Sequence, residues 1–216
     1  MKYQNLVPDL EKIKQLTATP ENVASLSHKT EEVLANAYSI GFPDTVDETA
    51  FLREVFYLLS SHAALRGDAP EMIRYAQQVI SLEQNDPELP EDSRSNTVKA
   101  LYLLALLTQT KYSQFNLEAE SLTSKERSSP EISFSMKVYD ILDSNAYEQL
   151  PDARQSLPSV YFTTFFDQTC KSVPTDHHTP TPLPSTQSKE DDIIAVPVRR
   201  IIVSTLSQAT AYEETV

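Results

Sequence analysis

The sequence predicts an all-α fold of stacked antiparallel helices, and three observations carry that prediction. Apolar residues recur at helical spacing from about Asp9 to Val173, with no alternating strand pattern over that stretch. Glycine occurs only twice in 216 residues, at Gly41 and Gly67, where average usage of about 7% would give roughly 15. Tight hairpins and phosphate-cradling loops need glycine, whereas short helix links manage on Pro, Asn, Asp and Ser. The third observation is a recurrent helix-start signature of capping residue, proline and acid. It stands at Thr19-Pro20-Glu21, Asp68-Ala69-Pro70-Glu71 and Ser129-Pro130-Glu131.

Taken in order, a short first helix is expected from about Asp9 to Leu16, with Leu10, Ile13 and Leu16 on one side. Thr19 then caps a helix carrying Val23, Leu26, Thr30, Val33, Leu34, Ala37 and Ile40, which stops at Gly41. Its partner starts after Asp47, packs through Phe51, Leu52, Val55, Phe56 and Leu59, and ends near Gly67. The segment Asp68 to Glu71 reads as a capping box around a proline, opening a helix that buries Met72, Ile73, Ala76, Val79 and Ile80. Two prolines make Asn85 to Glu91 a loop. The helix from about Asp92 to Thr108 is apolar almost all round in its second half, which places it between neighbours. Tyr112, Phe115, Leu117 and Leu122 mark a shorter helix. Ser129 caps the next, with Ile132, Met136, Val138, Tyr139, Ile141 and Leu142, and a brief helical turn follows around Ala146 to Leu150. Pro158 opens a last helix bearing Val160, Tyr161, Phe162, Phe165, Phe166 and Val173. The total is about eight or nine helices, consecutive pairs of which each need a neighbour to cover an apolar side.

Composition changes at Pro174. The expected organisation is a helical domain over 1–173, a flexible linker over 174–192 rich in Pro, Thr and Ser, and a short C-terminal segment over 193–216. Within that segment Ile193 to Leu206 is β-branched and apolar, interrupted by Pro197, and reads as a short strand, a hairpin or a docking segment.

Charge and apolar runs exclude several classes. The net charge is −13, and the only adjacent basic pair is Arg199-Arg200, so nucleic acid and anionic membrane are not expected partners. The longest apolar run, Ala100 to Leu107, is far short of the roughly 20 residues of a bilayer span. The N-terminal residues carry no apolar secretory stretch. Cys170 is the sole cysteine, which rules out an intramolecular disulfide and suits a reducing compartment, the cytoplasm or nucleus. With two glycines there is neither a phosphate-binding loop nor a dinucleotide fingerprint.

The residues that might carry chemistry each have a plainer reading. His177 and His178 stand in the proline-rich linker with Asp176 as their only close carboxylate, short of the three or four spaced ligands a zinc site needs. A nucleophilic device would draw on Ser60, Ser61, His62 and Cys170, with His28 on a separate helix, yet no nucleophile-elbow motif exists. The acidic pairs Glu31-Glu32, Glu118/Glu120 and Asp191-Asp192 read as solvated faces, since adjacent helical residues diverge by about 100°. The stripe Tyr161-Phe162-Phe165-Phe166 has the spacing of core packing. No catalytic residue, metal, cofactor or small-molecule substrate is expected.

Four stretches carry a resemblance to a known family. They are Phe51 to Leu82, above all Ala69-Pro70-Glu71-Met72-Ile73-Arg74-Tyr75-Ala76-Gln77; Leu89 to Ser93 leading into Ala100 to Leu107; Tyr112 to Leu122; and Val138 to Leu150 with Leu157 to Phe166. In this order and spacing they resemble the non-ATPase regulatory subunit 8 family, small PCI-type subunits of the proteasome regulatory-particle lid. The related subunits of the COP9 signalosome and of eukaryotic initiation factor 3 are the alternative assignment. A small cytosolic hydrolase is the reading from a different class. The resemblance covers about residues 5 to 173. It implies a right-handed helical-repeat (TPR-like) solenoid packed against a winged helix, no active site, and a scaffold role in assembling the lid for ubiquitin-dependent degradation. Its implied partners are other lid and regulatory-particle subunits. The family continues past the aromatic helix with a winged helix and a terminal helix, whereas this sequence turns to the Pro174 to Asp192 linker, so the winged-helix element is expected to be incomplete or missing.

Overall fold

Helix boundaries follow local hydrogen-bond chemistry. In the computed structural model residues 2–173 are described, and the expectations for 174–192 and 193–216 lie outside the described residues. Ten α-helices occur among them: α1 (Val7–Gln15), α2 (Val23–Ile40), α3 (Val46–Arg66), α4 (Ala69–Asn85), α5 (Ser93–Thr108), α6 (Tyr112–Ser121), α7 (Ser124–Arg127), α8 (Pro130–Asp143), α9 (Leu150–Gln155) and α10 (Tyr161–Ser172). A 3₁₀ turn, Tyr147–Gln149, leads into α9. Ten slightly exceeds the eight or nine expected, and the additions, α7 and α9, are short. α7 is opened by a full capping box between Thr123 and Glu126, and α9 continues the turn expected at Ala146 to Leu150.

Two caps are where the sequence places them: Asp68 and Ser129 accept from the backbone N–H of Glu71 and Ile132. Asp92, expected only as the approximate start of its helix, accepts from the Arg94 N–H and caps α5. The box at Asp68 is only half formed, because the Glu71 carboxylate turns to Arg66 and Arg74. Thr19 is not a cap. The Asn22 side chain accepts from the Thr19 N–H at 2.7 Å and donates to the Thr17 carbonyl at 3.1 Å, holding a turn that delays α2 to Val23. Pro158 likewise precedes its helix. Phe162 and Thr163 donate to Ser159 and Val160, i to i−3 bonds that wind a tight lead-in before α10 begins at Tyr161.

Left-handed residues end three helices. After α3, Gly67 (φ 70°) lets its own N–H reach Ala64 and that of Asp68 reach Ala63. Thr110 (φ 54°) and Asn145 (φ 56°) repeat this bonding after α5 and α8. A sequence so poor in glycine thus places a β-branched threonine where glycine is preferred. Gly41, at φ 130° and ψ 174°, ends α2 in a region essentially reserved for glycine.

Packing is sequential from α1 to α5: α1 on α2, α2 on α3, α3 on α4 and α4 on α5. This neighbour-on-neighbour order is the solenoid-like, helical-repeat arrangement expected. Helix α5 is the hub, touching α3, α4, α6, α8 and α10, and each of its residues from Ala100 to Leu107 is buried. α10 departs from simple stacking by returning across α5 to α3. Its Phe162 meets Phe134 of α8 edge-on with centroids 5.8 Å apart, and Phe166 lies 5.9 Å from the same ring. The expected core residues are mostly inside. Leu16, Ile40, Tyr112, Leu117 and Val160 are the corrections, being exposed; all but Leu117 stand at or beside a helix end.

Candidate interaction surfaces

The residues nominated for nucleophilic chemistry do not assemble. Ser61 donates to the Tyr57 carbonyl one turn back at 2.9 Å, an intrahelical bond that leaves no proton for a base to take. Ser60 and His62 are buried, and neither the Ser60 hydroxyl nor His62 Nδ1 has a hydrogen-bond partner. Burial, and then the positive charge of Arg66, lower the His62 pKa to about 4. Burial pushes the Cys170 thiol up, with Asp167 adding to the effect, which is the reverse of an activated thiolate. His28 is exposed, 3.4 Å from Glu32. His177, His178, Asp176, Asp191 and Asp192 lie outside the described residues. Among the described residues no three His, Cys, Asp or Glu side chains converge as a metal ion requires, and no helix is long and apolar enough to cross a membrane.

The carboxylate pairs diverge. Glu31 accepts from the Tyr75 hydroxyl on α4 at 2.9 Å while Glu32 faces His28. Glu118 accepts from Tyr102 at 2.9 Å. Burial first, and these carboxylates after it, raise both Tyr75 and Tyr102 to about 12. The aromatic stripe of α10 is core: Phe162, Phe165 and Phe166 are buried.

The main polar feature is a seam that the sequence did not reveal. Lys14 of α1 lies 3.3 Å from Glu54 of α3, which accepts both terminal nitrogens of Arg94 at 2.9 and 2.6 Å. The Arg94 guanidinium, also bonded to Asp92, sits 4.7 Å from the Tyr57 ring centroid. Tyr57 donates to Glu83 at 3.0 Å, Ser95 donates to the same carboxylate at 2.7 Å, and Lys99 stands 3.3 Å from it. Lys99 then reaches Glu126 at 2.7 Å. Burial alone would raise the Glu126 pKa, but hydrogen bonds from Lys99 and Thr123 outweigh it and bring the carboxyl down to about 2. Arg53 adds a bond to the Pro90 carbonyl at 2.8 Å, fixing the loop after α4.

This seam separates two clefts. One, about 470 Å³, lies under the 86–92 loop, and a second of about 260 Å³ lies between α4, α5 and α6, with Glu83, Lys99, Thr123 and Glu126 shared by both walls. Lys99, the cation shared by both walls, is engaged by Glu83 and Glu126, and the seam ties α1, α3, α4, α5 and α7 together.

Exposed apolar groups are the remaining feature. The large ones among the described residues are Leu16, Tyr38, Ile40, Phe42, Tyr112, Leu117 and Val160. Three of these seven fall in five consecutive positions at the α2–α3 turn, which is 79% exposed at Phe42.

Fold and surface together define an all-helical protein with the build of a helical-repeat interaction module. No family model matches the chain. It is similar to the 26S proteasome non-ATPase regulatory subunit 8 homolog A of Arabidopsis thaliana, with 28% identity over 85 residues, 39% of this chain and 32% of that protein. The similarity is distant, and the matched region spans about a third of the relative's length.

Proposed function

We propose that the chain is a non-catalytic scaffold subunit of the proteasome regulatory-particle lid, working in the cytoplasm and nucleus in ubiquitin-dependent degradation. The observation that carries this reading is the similarity to a 26S proteasome regulatory subunit. It is supported by a fold whose buried polar groups serve structure and whose nominated serines, histidine and cysteine form no nucleophile–base pair. Function then consists of burying helix faces and connecting turns against neighbouring subunits, at a scale of about 1,600 Å² per stable interface.

Native pull-down with mass spectrometry, using the full chain and residues 1–173, tests the reading. Recovery of lid subunits in stoichiometric amounts with both is the expected result, because the helical portion carries the docking faces. Recovery of signalosome or initiation-factor subunits in their place would transfer the chain to that complex. Finding none of these subunits would end the scaffold reading.

A further inference from the structure

The α2–α3 turn is built to present an aromatic side chain rather than to hide one. Phe42 is 79% exposed, and the Tyr38 ring lies 6.3 Å from it, with Ile40 exposed between them in sequence. A lone exposed phenylalanine is ordinary; one on a clamped turn is not. The Tyr3 hydroxyl donates to the Gly41 carbonyl at 2.7 Å, and Lys2 donates to the Phe42 carbonyl at 3.1 Å. Lys2 also pairs with Asp44, and the Glu48 carboxylate accepts the backbone N–H groups of both Lys2 and Asp44. Three hydrogen bonds therefore fix the backbone at Gly41, Phe42 and Asp44, and the Lys2–Glu48 and Lys2–Asp44 contacts brace them, so the turn loses little backbone entropy on binding.

We infer that this turn is a docking knob, Phe42 with Tyr38 beside it, for an apolar socket rimmed by Lys or Arg on a different protein. Charge decides the occupant. Asp47 is exposed beside the knob and the chain as a whole is strongly acidic, while the opposed ends of α2 and α3 that meet at the turn offset one another. Lys2, the cation at the turn, is engaged by Asp44. A second copy of this chain is a poor fit, because its net charge of −13 would set acid against acid. The inference rests on the scaffold reading and names the part of the surface that performs it.

The test titrates full-length chain onto purified proteasome lid depleted of its own small subunit. Wild type should bind, and Phe42→Ala should weaken binding at least about tenfold, as removal of an aromatic anchor does. Asp47→Lys should weaken it several-fold in about 50 mM salt and much less at about 500 mM, since screening erases a rim effect. Leu117→Ala, an exposed apolar residue on α6, should bind like wild type. An unchanged melting temperature verifies that the variants fold, and Asp47→Lys carries the test if Phe42→Ala does not. Binding by wild type and Phe42→Ala alike would overturn the inference and leave the scaffold reading standing. Absence of binding by wild type would overturn both. Phe42-dependent self-association in sedimentation would assign the knob to a second copy and overturn the choice of partner.

Discussion

His62 lies in the buried interior of α3, 3% exposed, with its Nδ1 unpartnered. A neutral imidazole tolerates that position; an imidazolium would lose its hydration without gaining a counter-charge, and Arg66 one turn on repels it. The folded-state pKa of about 4 lies below the ordinary 6.5, so between these values the unfolded chain binds more protons than the folded one. The contribution is therefore neutral above pH 6.5 and becomes a loss of stability as pH falls through the window to 4. At pH 4.5 the loss is on the order of 2 kcal/mol. Urea unfolding at pH 7 and 4.5 should show that drop in wild type and a smaller one in His62→Leu. Equal drops in the two would remove His62 as the cause. Glu126, lowered to about 2 from 4.5, begins to lose its own contribution at the bottom of this window, but equally in wild type and variant, so the difference between the two isolates His62. The imidazole's position among other helical residues gave no hint of this, because burial of His62 depends on which helices arrive over it.

At the scale of the element, the same left-handed position is filled three ways. Gly67, Thr110 and Asn145 end α3, α5 and α8 with equivalent bonding, yet they respond oppositely to substitution. A Cβ at Gly67 would sit 2.5 Å from both Thr164 Cγ2 and Gln168 Nε2, and the Gln168 amide also donates to the Gly67 carbonyl at 3.0 Å. Gly67→Ala thus adds a clash to a disfavoured φ and should cost about 2 kcal/mol or more. Thr110→Gly relieves a β-branched residue of the same conformation and should stabilise by about 0.5–1 kcal/mol. Chemical denaturation of the two variants checks both signs; stabilisation by Gly67→Ala would mean that α10 does not pack on this turn.

Element order was legible in the sequence where the signal is local. The apolar run Ala100 to Leu107 announced a helix covered on all sides, and Asp68 and Ser129 announced the starts of its neighbours α4 and α8. Thr19-Pro20-Glu21 carried the same signature without the same outcome, because Asn22 competes for the turn. The Thr123–Glu126 box was equally local but opens a helix of only four residues, too short to show an apolar period. The seam from Lys14 to Glu126 was illegible for a different reason. Directly bonded partners along it are as many as 40 residues apart in the chain, and only the folded packing of α1, α3, α4, α5 and α7 brings them together. The exposed turn was half visible: Ile40 was read as core because the apolar stripe gives no sign of where the covering helix ends.

Across the whole molecule, the deciding feature is the return of α10 to α3. In an open solenoid each helix pair couples only to its neighbours, so the terminal helix frays while the interior stays folded. Here α10 buries Phe162, Phe165 and Phe166 against a core built by α3, α5 and α8, and the Gln168–Gly67 bond joins positions 101 residues apart. Losing α10 would uncover α5, the helix to which α3, α4, α6 and α8 all attach. Native-state hydrogen exchange should therefore find the amides of α10, α5 and α3 protected to a similar degree, opening together in one cooperative step. Phe166→Ala should cost about 3–5 kcal/mol and lower protection in all three helices in parallel. If α10 exchanged orders of magnitude faster than α3, or if Phe166→Ala loosened α10 alone, α10 would be a peripheral addition. Scaffold function makes the cooperative outcome mechanically useful, since a turn such as Gly41–Asp44 can hold a partner at a fixed position only if the helices behind it move as one body.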